Sequence, residues 1–339
     1  MAMTERAVPA EGVTCQMNGS ITDVTGIEVG HAQHPSGLTG CTVVLCRAGA
    51  VPGVDSRGGA PGTRETDCLR PENVVPAAHA IFLTGGSAFG LDCAAGIMKW
   101  LEERRIGLDV GPTVVPIVAG AVLNDLPFTS AAARPDAEMG RKACEAAASS
   151  ECRQGNVGAG TGATVGKLTG LGRGMVKGGL GTASIRVGEL VVGALVAVNC
   201  VGDVVDPDTG ELLAGTLAAG GSTFAGAMNL VSGAVPGFRE GFPANTTIGV
   251  VATNARLDKA LCRRVAMMAQ DGYARSINPI HTLADGDVVF SLATGAVAAD
   301  ANRVGALAAQ VMARAVANAI RAAETLGGVP CSREIRGRA

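Results

Sequence analysis

Aromatic side chains are nearly missing from this 339-residue chain, at 3 % of the total. A large core must then be closed by small residues, and 49 glycines with abundant Ala and Val imply close packing of stacked sheets and helices. An excess of one charge is also lacking. A net charge of −2 gives no electrostatic footing for nucleic acid or an anionic membrane. No apolar run reaches the ~20 residues a bilayer helix needs. Ten cysteines are scattered without a C-x-x-C pair or a Cys/His knot, so neither a metal site nor a cofactor is expected. Cys93, Cys200 and Cys262 lie in or beside apolar periodic segments and read as small buried hydrophobes. No signal-peptide pattern is found, which makes a reducing cytoplasm the expected compartment. What is present is 47 % hydrophobic residues against 17 % charged, enough for two average domains or one large α/β unit.

The stretch from Pro243 to Asn254 organises the reading. Gly233, Pro236, Gly237, Gly241 and Pro243 break the segment before it, so that segment holds neither helix nor central strand. Ile248 to Ala252 is then a β-branched, apolar run, the mark of a strand buried on both faces. Thr246 and Thr247 therefore stand at the mouth of a buried strand, behind a loop. A threonine hydroxyl is a poor nucleophile until a base takes its proton. Cutting the chain just before Thr246, at Asn245-Thr246, frees an α-amine that titrates near ~7.7–8.0 on the same residue as the hydroxyl. A Thr-rich strand entry with no chemistry is the alternative.

Upstream, residues 1–18 read as a mobile tail, and Ile21–Val24 and Ile27–His31 as short strand pieces. Cys41–Cys46 is a better strand. His31 and His34 flank a surface turn and lack a third metal ligand. In the polar loop 54–67, Arg57 and Arg64 either clamp a carboxylate or pair with Asp55, Glu65 and Asp67. Ala80–Thr84 is a buried strand, and Gly85-Gly86-Ser87 makes a tight turn that brings backbone N–H groups close to a site before a helix through Leu101. That turn lacks the order of a dinucleotide or P-loop motif. Thr113–Val122 is a strand ending at Asn124-Asp125, and a helix runs from Asp136 to about Ser149. Lys167 follows a Gly-rich run and gains meaning only if that loop folds against the nucleophile.

Thr182–Val187 and Leu190–Asn199 form a hairpin at Gly188-Glu189. Asn199 ends its very apolar second strand, where an unpaired amide costs ~1–3 kcal/mol, so it either caps the next turn or points at a ligand. Residues 202–245 are a long, weakly structured connection, which a compact domain keeps for function. Asp258 caps a helix reaching Gly272 or Ala274. Asp285-Gly286-Asp287 then forms a turn, binds a cation weakly, or positions an ammonium. Arg303–Leu326 is an amphipathic helix stopped by Gly327-Gly328.

Taken in order, several motifs resemble the family of L-aminopeptidase/D-Ala-esterase-amidases, which includes β-peptidyl aminopeptidases and the nylon-oligomer endohydrolase. They are Asp55-Ser56-Arg57-Gly58-Gly59, Pro61 to Thr66, Thr84 to Asp92, the Gly-rich segment with Lys167, Asn245-Thr246-Thr247-Ile248, and His281-Thr282 with Asp285-Gly286-Asp287. The likeness spans roughly residues 20–325. It implies an α+β fold, a four-layer αββα sandwich of the N-terminal-nucleophile type, forming one domain over 1–339. It further implies self-cleavage into chains 1–245 and 246–339 that stay together, and assembly into a homo-oligomer, a tetramer of αβ units.

By the same resemblance, Thr246 is the nucleophile and its new amine the base. Asn199 is an oxyanion donor, Lys167 stabilises negative charge or tunes the amine, and Asp285 and Asp287 orient Thr246. Asn124 stands where relatives carry a Tyr, and joins Gly85, Gly86 and Ser87 as expected substrate contacts. The implied activity is hydrolysis of a small peptide or amide through an acyl-enzyme. An acyltransferase of the ornithine acetyltransferase type and a catalytically relic scaffold are the alternatives.

Overall fold

The computed structural model describes residues 15–17, 19–35, 38–129, 132–150, 152–170, 174–239 and 245–337. Eight strands and four helices carry the architecture: β1 (Glu28–Gln33), β2 (Gly40–Ser56), β3 (Ala78–Thr84), β4 (Val118–Val122), β5 (Gly179–Val187), β6 (Leu190–Asn199), β7 (Thr246–Ala255), β8 (Val288–Val297), α1 (Cys93–Glu102), α2 (Ala137–Glu145), α3 (Lys259–Ser276) and α4 (Ala301–Ala322).

The long strand β2 belongs to two sheets. Its first part pairs with β1 and β3, and β3 continues to β4. Its last part pairs with β8, from which the order runs β7, β6, β5. Alternation along the strands then separates three cores. Leu195 and Ala197 of β6 face Ile81 and Leu83 of β3 in the core between the sheets. Ala194, Val196 and Val198 turn outward to Met312 and Val316 of α4, while Ala80 and Phe82 turn the other way to Ile97 and Met139 of α1 and α2. Three apolar cores between stacked layers make the αββα sandwich, and they explain why the strands read as continuous apolar runs.

Caps start three of the helices, Asp258 where the sequence places it, while the last helix opens at Ala301 and closes at Ala322, ahead of Arg303 and short of Leu326. Asp258 accepts from Leu261 N at 2.8 Å, Asp136 from Met139 N at 2.9 Å, and Asp300 from Arg303 N at 3.0 Å. Several boundaries move. Ile21–Asp23 is a turn of 3-10 helix and not a strand, because Ser20 N bonds the Asp23 carboxylate and Ile21 N donates to Thr182 Oγ1. Cys15–Gln16 pairs with β5 and so belongs to the sheet rather than to a tail, most of which lies outside the described residues. The expected strand 113–122 is split at Pro116, with Val114–Val115 turned away to pair with Leu108–Asp109. The second helix ends at Glu145, short of Ser149. The loop at 240–244 lies outside the described residues.

With so few aromatics, the layers approach closely. A methyl group on Gly181 of β5 would sit 2.0 Å from Ala315 O and 2.4 Å from Ala319 N of α4. Gly181→Ala is therefore expected to destabilise the fold by about 1–3 kcal/mol or more. A urea midpoint indistinguishable from that of the unaltered chain would contradict this packing.

Candidate active site

Strand polarity gathers the chemistry at one edge. β7 and β8 run parallel and β6 runs antiparallel to β7, so the last residue of β6 and the first residues of β7 and β8 lie together. Asn199 is paired opposite Thr246, and Ile248 opposite Val288. The Thr246 hydroxyl hydrogen-bonds the carbonyl oxygen of Asn245, the group a nucleophile at Thr246 would attack.

Lys167 reaches this edge because its loop folds inward. The residue is 2 % exposed, and its ammonium donates to Asn199 Oδ1 at 2.8 Å and Asn199 O at 2.9 Å. Thr164 N donates to the same Oδ1 at 2.9 Å. With the oxygen so occupied, the amide nitrogen of Asn199 faces the other way and donates to Asn124 O at 3.2 Å. The strand-end amide is thus hydrogen-bonded at both its oxygen and its nitrogen, as burial demands.

The acids sit on the opposite flank. Asp287 accepts from Thr247 N at 2.7 Å on one oxygen, and from His281 N at 3.0 Å and His281 Nδ1 at 2.9 Å on the other. Asp285 accepts from Thr282 N and Thr282 Oγ1 through Oδ2, while its buried Oδ1 finds no partner among the described residues. A methyl group on Gly286 would lie 2.9 Å from Thr246 Oγ1, so the turn carrying both acids runs against the threonine.

This turn is held by the Asp55-to-Gly59 motif. Arg57 N and Gly58 N donate to Asp287 O, and Ala60 N donates to Asp285 O at 2.8 Å. Arg57 pairs with Asp55 and Met267 O, and Arg64 lies against Met98. His281, to which the residues alone gave no role, orients Asp287. The sequence signal for it was its place six residues before that acid.

The substrate contacts come out differently. A cavity of about 260 Å³ opens onto Thr246, walled by Pro61, Gly62, Ser87, Ala88, Val122 and Asn124 among others. The backbone N–H groups of Gly85, Gly86 and Ser87 are not offered to it. They donate to Gly40 O, Asp125 Oδ1 and Leu123 O. Ser87 lines the cavity, while Gly85 and Gly86 are not among its lining residues. Asn124 lines it too, but what it gives Asn199 is its main-chain carbonyl, which any residue would supply. Outside the site, His31 is not in a surface turn. It lies in β1 against Thr42 and Cys152, and burial lowers its pKa to about 4.

Burial dominates the site's titration. It pulls Lys167 down to about 7, against the attraction of nearby acidic groups including Asp285. It pushes Asp285 up to about 6, with Asp287 adding to the rise. A cation and a carboxyl with values this close hold their protons in balance near neutrality.

Known proteins resemble this chain over most of its length. The family model described as peptidase family S58 matches residues 19–332. An uncharacterised aminopeptidase of Mycobacterium tuberculosis is 45 % identical, over 93 % of this chain and 97 % of its own length. A 6-aminohexanoate-oligomer endohydrolase of Paenarthrobacter ureafaciens is 32 % identical, over 88 % of this chain and 84 % of its own. Among solved structures, the L-aminopeptidase D-Ala-esterase/amidase of Ochrobactrum anthropi, described as a new variant among the Ntn hydrolase fold, superposes with a TM-score of 0.70. It covers 96 % of this chain and 95 % of its own at 20 % identity. A Burkholderia sp. beta-aminopeptidase superposes with a TM-score of 0.66 at 22 % identity, over 94 % of this chain and 93 % of its own.

The lowered Lys167 value has a consequence for stability. Between about 7, the folded value, and 10.5, the ordinary one, the unfolded chain keeps a proton that the folded chain has released. Stability therefore rises with pH through that window. Lys167→Met is expected to remove a slope of up to about 1.4 kcal/mol per pH unit. Urea unfolding of both proteins at several pH values in the window checks this, and parallel curves would contradict it.

Proposed function

The chain belongs to peptidase family S58, and from that premise we propose that it is a hydrolase of the N-terminal-nucleophile type, that Thr246 is its nucleophile and that the chain cleaves itself at Asn245-Thr246. The single observation that carries this reading is the Thr246 hydroxyl lying on the Asn245 carbonyl, between the Lys167–Asn199 pair and the Asp285–Asp287 turn.

In the self-cleavage, Thr246 Oγ attacks the Asn245 carbonyl carbon, and the bond from that carbon to Thr246 N breaks. The ester so formed is hydrolysed by water, leaving a carboxylate on Asn245 and a free amine on Thr246. In turnover that amine takes the hydroxyl proton as Oγ attacks the substrate carbonyl. Negative charge develops on the carbonyl oxygen, where the Asn199 amide and the Lys167 ammonium stabilise it. A preorganised donor of this kind is worth about 2.7–4 kcal/mol. The amine of the leaving group departs with a proton, and water releases the acyl group from Thr246.

The relatives' names, aminopeptidase and oligomer endohydrolase, support small peptides and amides as substrates, and a 260 Å³ cavity suits a small acyl group. We further read the protein as cytoplasmic and oligomeric, as the family resemblance and its nine free cysteines among the described residues suggest. Among those residues no helix is long and apolar enough to cross a membrane.

Purified protein is expected to resolve by intact mass into fragments ending at Asn245 and beginning at Thr246, and Thr246→Ala to stay whole and inactive on aminoacyl amides. Asn199→Ala is expected to lower kcat by about 10²–10³-fold. Wild-type protein that remains uncut and inert overturns the proposal.

A further inference from the structure

Among the described residues, the mechanism leaves one fully buried lysine unused. Lys177 is 0 % exposed, and its ammonium donates to the carbonyls of Thr161 at 2.9 Å and Ala163 at 2.6 Å. Its remaining side lies 5.0 Å from the Phe128 ring centroid. Burial lowers it to about 7, with Asp125 opposing that fall and Lys167 adding to it. A lysine in dry surroundings is costly, and two main-chain carbonyls at a surface would be served by water.

What Lys177 grips explains its position. Its two acceptors bracket Gly162 and lead directly into Thr164, whose N–H fixes the oxygen side of the Asn199 amide. The same loop is pressed from the far side by Asp125, since a methyl group on Gly162 would lie 2.2 Å from Asp125 Oδ2. Asp125 in turn accepts from Thr39 Oγ1 and Gly86 N, both at 2.7 Å. It follows Asn124, whose carbonyl receives the Asn199 amide nitrogen. Asn199 is therefore held between two jaws, 161–164 on its oxygen and 124–125 on its nitrogen. Lys177 ties the first jaw and Asp125 the second.

We propose that Lys177 is a positioning residue, which by cross-tying the carbonyls of Thr161 and Ala163 holds Thr164 N against Asn199 Oδ1 and so aims the Asn199 amide nitrogen at the oxyanion formed at Thr246. The inference rests on the reading of Asn199 as that donor. Lys177 touches neither substrate nor nucleophile and acts only through the loop. Losing its ammonium leaves Thr161 O without that donor and Ala163 O with Gly178 N alone, which loosens the turn before Thr164 and blurs the direction of the amide.

The test is a double-mutant cycle on the purified full-length protein with an aminoacyl p-nitroanilide, using Lys177→Met, Asn199→Ala and the pair. Lys177→Met is expected to lower kcat by about tenfold or more with KM unchanged within about twofold, less than the 10²–10³-fold cost of deleting the donor itself. In the Asn199→Ala background it is expected to cost nothing further, because a residue that only aims a group has no effect once the group is gone. Should Lys177→Met fail to fold, Lys177→Gln, which keeps a donor on a shorter stem, takes its place in the cycle. A folded Lys177 variant with wild-type kcat, or losses that multiply across the pair, overturns the inference. If Asn199→Ala is itself fully active, the reading of Asn199 as oxyanion donor fails instead.

Discussion

The pairing of Asn199 with Thr246 across the ends of β6 and β7 sets where every other group of the site has to lie. Strand register in a sheet buried on both faces cannot slip by one residue without turning a whole apolar face to the wrong core. Leu195 and Ala197 face the inter-sheet core while Val196 and Val198 face the helices, so both cores fix the register. The parallel neighbour β8 then starts at the same edge, one residue after Asp287. A hydroxyl, an amide and a carboxylate distant in sequence are thereby brought to one edge by apolar packing.

Once there, these groups are buried and must satisfy one another. Asn199 uses its oxygen on Lys167 and Thr164, and Asp287 collects donors from Thr247 and His281. The cost of leaving any one of them unpaired keeps the network in a single arrangement. The same burial that rigidifies the site brings Lys167 down and Asp285 up toward neutrality. Stability and reactivity thus share a cause, the low dielectric of the space between the layers.

Local pattern made part of this legible. The β7 core at Ile248–Ala252, the hairpin at Gly188-Glu189 and the Asp258 cap follow from period, turn residues and capping chemistry, and the structure has them there. The stacking into four layers was legible through the family resemblance, with the both-face burial of the strands in accord. Other features depended on groups far away in sequence. Ile21–Val24 alternates like a strand, yet Asp23 and Thr182 close it into a helical turn. Lys167 looked like an ordinary loop charge until its loop folded onto β6. The Gly85–Ser87 turn suggested free N–H groups, but Asp125, Gly40 and Leu123 had claimed them. Lys177 carried no sequence signal, since a lysine's burial is decided by the tertiary fold.

The central claim is that one hydroxyl, at Thr246, carries the acyl group during turnover. Quenching the purified protein in acid during turnover of a slowly hydrolysed aminoacyl ester, then digesting it and mapping the adduct by mass spectrometry, tests this most directly. The account predicts an acyl group on the peptide whose first residue is Thr246. An adduct on Ser87, on a cysteine, or on any peptide lacking Thr246 would contradict it.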